Sequence, residues 1–137
     1  MIFLKKNKVL YSIFIKKNFQ FKKEINELNS SSDSLQNLII LKKKGDYIKP
    51  HFPKSRLKTT KQHNEVLIVM EGSILVKVYA NNKKYLDSYF MKANDIIIFL
   101  AGYHSVEILK KSKLFEVKPG PFDRKLDIPE RFNELFK

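Results

Sequence analysis

Short apolar runs broken by turn residues dominate this chain. Residues 37–41, 47–51, 65–70, 73–79, 85–91, 96–100, 106–109 and 114–117 each hold a run of four to seven residues. Gly45-Asp46, Glu71-Gly72, Asn81-Asn82 and Ala93-Asn94-Asp95 stand between them. Runs of that length suit strands and fall short of ordinary helices. In 73–79, Ile74, Val76 and Val78 alternate with Leu75, Lys77 and Tyr79, the period of two of a strand. Residues 96–100 are apolar without a break, as in a strand covered on both faces. A helix over 33–44 capped by Asp33 competes for one stretch. Ile39, Ile40 and Leu41 running straight into a Gly-Asp turn favour a strand there. The pattern predicts an all-β barrel of about ten short strands.

At 137 residues, with 43% apolar residues, 11 Phe and 6 Tyr, the chain suffices for one domain around one core. The barrel core is placed at about 36–123. Residues 1–30 read as N-terminal strands and a loop, and 124–137 as a tail with a short helix over 129–136. There is no cysteine, which excludes disulfides and thiolate metal sites and fits a reducing cytoplasm. The strand-forming stretch 9–15 is too short to span a bilayer, so no transmembrane segment is expected. It reads as a strand pairing onto the barrel or onto another subunit. The competing reading is an interfacial anchor with Lys5, Lys6, Lys8, Lys16 and Lys17 on lipid headgroups.

The net charge is +13, yet only Arg56, Arg124 and Arg131 among 27 basic residues are arginine. Planar, bidentate recognition of phosphate and bases favours arginine. The charge therefore reads as compositional, with no specific nucleic-acid partner. Binding to nucleic acid or an anionic membrane surface rests on net charge alone.

The three histidines are His51, His63 and His104. On a strand His63 and Glu65 share a face with Leu67 and Val69. If His51 and His104 lie on neighbouring strands, three imidazoles and one carboxylate converge inside the barrel, a donor set that suits Zn, Fe, Mn or Ni. Glu65 faces the predicted core with no lysine on its own face, so it needs a metal, a histidine or a ligand as partner. Lys54, Arg56 and Lys58 lie in a loop that reads either as a gatherer of an anionic ligand or as a plain solvated loop. Tyr47 and Tyr103 read as wall residues beside it.

The spacing of Gly45, His51, Glu65 and Gly72 resembles the first motif of the cupin superfamily. Asn94-Asp95, the run 96–100 and Gly102-Tyr103-His104 resemble its second motif. The tail Phe115-Glu116-Val117-Lys118-Pro119-Gly120-Pro121-Phe122-Asp123 is similar to the ending of small WbuC-type cupin fold metalloproteins from surface-polysaccharide gene clusters. The resemblance implies a cupin double-stranded β-helix in the cytoplasm, with His51, Glu65 and His104 at metal-ligand positions. Pro53 stands where the family has a second histidine; His63 either supplies the missing nitrogen or only pairs with Glu65. Glu65 and His104 are then the catalytic pair. The implied substrate is an anionic sugar derivative, carbohydrate or nucleotide-sugar, handled by an isomerase or epimerase. The alternative is a non-catalytic sugar-binding or regulatory cupin with a degenerate metal site. A homodimer is expected, because residues 96–100 and the N-terminal strands offer more apolar surface than one barrel covers.

Overall fold

The structure is a computed structural model that describes residues 1–52, 57, 60–125 and 127. The described residues form eight strands and no helix, in one curled antiparallel sheet and a small two-stranded one. No described helix is long and apolar enough to cross a membrane. The stretches expected at residues 53–56 and the tail helix over 129–136 fall outside the described residues.

Strands β1 (Ile2–Lys6) and β2 (Val9–Ile15) form a hairpin. Asn7 and Lys8 both have positive φ, 50° and 65°, the conformation that lets a two-residue turn follow the twist of its strands. A separate pair, β3 (Ile25–Glu27) and β4 (Leu38–Ile40), packs beside it. β3 arises in a stretch expected to be loop, and only Asn26 and Ile39 of the pair face inward.

The long strands β5 (Glu65–Tyr79) and β8 (Tyr103–Val117) are the spine of the fold and pair with each other along their length. The first part of β5 also pairs with β7 (Ile96–Phe99), which pairs in turn with β2. The second part pairs with β6 (Tyr85–Lys92). β5 therefore belongs to both halves of a curled sheet, a half-barrel with its core in the curl.

Two expectations change here. Residues 65–70 and 73–79 were expected to be the two strands of a hairpin, and 106–109 and 114–117 two further separate strands. They are instead single strands that bend. The register of β5 on β8 slips between Val69 and Ile74, and such bulges kink and twist a strand. Gly72, at φ 85°, sits at the bend; a Cβ there would lie 2.3 Å from the Lys111 carbonyl oxygen and from Ser112 Oγ. Ser112 Oγ accepts from Ser73 N–H at 3.1 Å, tying the two bends together.

Residues 47–51 do not form the expected strand. Tyr47 and Ile48 are 75% and 58% exposed and the segment is irregular. Pro50 has no N–H to give a ladder, and no partner strand is at hand.

The core has two layers. Inside the curl, Phe14, Leu67, Val69, Ile74, Val76, Met91 and Ile97 pack together. Behind it, Ile13, Ile15, Val66 and Ile98 pack on Leu28, with Phe21 and Ile39 alongside. The run 96–100 thus finds its cover within the chain: Ile97 and Ile98 are buried between β2 and β5, one in each layer. Ile97 and Ile98 are therefore not available to cover a second subunit.

Candidate functional site

Glu65 is the first residue of β5 and lies directly opposite Phe99, the last of β7. By strand alternation it shares the inner face with Leu67 and Val69. Glu116, on β8, lies opposite Leu67 and so faces the same way. His104 lies opposite Val78, at the far end of the β5–β8 ribbon. A straight strand would put those two ends roughly 43 Å apart at 3.3 Å per residue. The bend at Gly72 returns them to each other: His104 Nε2 is 3.5 Å from Glu65 Oε2. The imidazole stacks flat on the Phe99 ring, centroids 3.8 Å apart and planes 7° from parallel.

Burial and a neighbouring carboxyl shape the electrostatics. Glu65 is pushed up to about 7, first by burial and then by its hydrogen bond with Glu116 and that group's charge, with Lys118 acting in the opposite sense. Glu116 is held below the usual carboxylate range by the same hydrogen bond and by Lys118, whose Nζ is 3.0 Å from its Oε2. His104 is lowered by burial, against the pull of the Glu116 charge. The His104–Glu65 contact has the distance of an ion pair, but burial disfavours charge on both groups. Near neutral pH it joins a neutral imidazole to a carboxyl that shares a proton with an ionised neighbour.

Ser12 continues the row from Glu65 through Phe99. Its hydroxyl and that of Tyr89 are buried without a well-formed hydrogen bond, and burial foremost pushes the Tyr89 phenol up to about 12.

The other expected site residues lie elsewhere. His51 was expected inside the barrel, yet its ring is exposed and its Nδ1 lies 3.1 Å from the Lys49 carbonyl oxygen. His63 is exposed just ahead of β5, where alternation no longer governs it. Tyr47 is exposed. Tyr103 adjoins His104 and so turns to the opposite face, where Lys83 Nζ lies 5.7 Å from its ring centre. Pro53, Lys54, Arg56 and Lys58 lie outside the described residues. The three-histidine, one-glutamate donor set is therefore not assembled, and no group of three or more His, Asp or Glu among the described residues is arranged to hold a metal ion. The residues present do not fit the Zn, Fe, Mn or Ni centre that the resemblance implies.

Sequence reasoning missed Glu116, Lys118 and Phe99. The signal for Glu116 was its alternation with Leu114, which puts a carboxylate on the inward parity of a strand. A cavity of about 830 Å³ opens in the back layer, lined by Met1, Phe19, Phe21, Lys22, Lys23 and Leu28 among others, and includes none of Glu65, Glu116 and His104. No protein-family model, curated protein or solved structure matches this chain.

Proposed function

We propose that this chain is a small cytoplasmic β-barrel protein of cupin type that binds or modifies a carbohydrate or nucleotide-sugar in surface-polysaccharide synthesis, with Glu65, Glu116 and His104 as its proton-handling centre. One observation carries the reading. Two carboxyls share a hydrogen bond while their environments drive their proton affinities apart, with Glu65 at about 7 and Glu116 below the usual range. Groups separated in this way divide into an acid and a base at working pH. Sugar isomerisation or epimerisation needs such a pair, because a proton leaves one carbon and a proton returns to the neighbouring carbon or to the opposite face of the same one. Glu116 is the ionised base. Glu65 is the acid, and neutral His104 relays its proton through the 3.5 Å contact. Lys118, beside Glu116, is fitted to the anionic group of such a sugar ligand.

The unassembled metal-donor set favours a second reading, a non-catalytic sugar-binding protein with a degenerate metal site. A thermal-shift panel of nucleotide-sugars tests both, since a ligand that binds only the folded state raises the melting temperature. Stabilisation is expected for the wild type and should disappear in Glu65→Gln and His104→Ala. Exchange of solvent deuterium into the bound sugar then marks the catalytic reading, and binding without exchange the second. No stabilisation by any member of the panel rejects both, and salt-sensitive binding to DNA or anionic vesicles in its place would assign the charge to a polyanion partner.

A further inference from the structure

We infer that two copies of this chain associate through the free edge of β8, in an antiparallel pairing centred on Leu109. β8 bonds to β5 along one side, and no described strand bonds to the other. A fifteen-residue strand with no described strand along one side is a template for another strand. Its side chains favour cover on both faces: Ile108 is 54% exposed, Leu109 44% and Phe115 51%.

The charge pattern selects a second copy as the occupant. In an antiparallel two-fold pairing, residues equidistant from the axis face each other, and an axis on a residue keeps inner face beside inner face. With Leu109 on the axis, Glu107 faces Lys111 of the second copy, and the arrangement repeats by symmetry. Two opposite-charge pairs then flank an apolar centre. Neither Glu107 nor Lys111 has an ion-pair partner among the described residues. A register centred on Lys110 sets two lysines against each other. It also needs Lys113, which is already bonded to Glu71 at 2.8 Å. Because β8 carries both His104 and Glu116, the second copy's strand runs beside the proton-handling centre and extends its wall past Val106 and Ile108. The interface stands on the edge and its charges, independently of any ligand.

Light scattering on the full chain at micromolar concentration tests the interface. A dimer is expected. Glu107→Lys sets like charges against each other and should give a monomer with an unchanged circular dichroism spectrum. Glu107→Lys/Lys111→Glu should restore the dimer. Leu109→Cys, in a chain without other cysteines, should oxidise to a covalent dimer, because two-fold symmetry brings that position against its own copy. A wild-type monomer overturns the inference, including one whose β8 amides resist hydrogen exchange because the chain's own tail covers them. A dimer indifferent to Glu107→Lys and without the Leu109→Cys crosslink places the interface elsewhere and overturns it as well.

Discussion

Glu65 ties the chemistry of the site to its stability. Its folded pKa of about 7 stands above the ordinary 4.5, so the folded state holds a proton that the unfolded state has released between those values. The group's contribution is fully present below the unfolded pKa and is lost as pH rises through about 7. Glu65→Gln keeps the shape and removes the titration. Above neutrality it should be more stable than the wild type by about 1–2 kcal/mol, after discounting for solvent screening and coupling, or a few degrees in melting temperature. The gap should close toward acid pH. His104 has the opposite sign: its pKa is lowered, so its contribution is present at neutral pH and is lost as pH falls below the ordinary 6.5. His104→Gln should flatten the acid side of the profile. Melting curves across this range check both, and parallel wild-type and Glu65→Gln profiles would discard the proton-sharing pair. At this scale the sequence was partly legible. The burial of an unpaired Glu65 followed from alternation on its own strand, and its need for a histidine followed from the cost of burying it. His104, not the nearby His63, fills that need, because the choice depends on where the bend at Gly72 returns the chain. Glu116 was hidden for the same reason: its partner is set by the register of β8 on β5.

The element that decides the architecture is the bend shared by β5 and β8. Gly72→Ala would bring a Cβ to 2.3 Å from the Lys111 carbonyl oxygen while holding a left-handed φ of 85°. Strain of that conformation alone costs about 1 kcal/mol, and the clash with backbone adds to it. A loss of more than about 2 kcal/mol is expected in urea unfolding. Gly45→Ala is the control, since nothing lies within 4 Å of its Cβ position. Equal effects at the two glycines would show that φ, and not the crossing of the strands, sets the cost. The strand positions themselves were legible, because period-two alternation is local. The bend was misread as a turn because Glu71-Gly72 has the composition of both. Only the continuous pairing with β8, a contact of long sequence separation, distinguishes them. The segment 47–51 failed differently: its residues favour extended chain, but Pro50 and the want of a neighbour leave it without a ladder.

Across the whole molecule, the half-barrel has one spine and not two independent sheets. β5 and β8 enter both halves, and the inner core spans residues from Tyr11 to Phe99. Neither half can open while the other keeps its partner strand, so unfolding should be a single cooperative transition. With no tryptophan in the chain, near-ultraviolet tyrosine signals and far-ultraviolet circular dichroism are the two probes. Their midpoints in urea should coincide, and separated midpoints would show that the halves are separate units. The all-β class was legible at this scale from run lengths alone. The net charge of +13 revealed nothing of it, because charge speaks to solubility and partners and not to fold.

The bend also orders events in time. The ladder between β5 and β8 closes its shortest loop at Tyr79 and Tyr103 and can zip from there while the ribbon is still open. In that state every rung is made, yet Glu65 and His104 remain at opposite ends of it. Closing the ribbon is a long-range step whose loop entropy comes before its reward. The site is therefore the clasp of the fold, and a newly made chain is expected to acquire its backbone pairing first and its chemistry last.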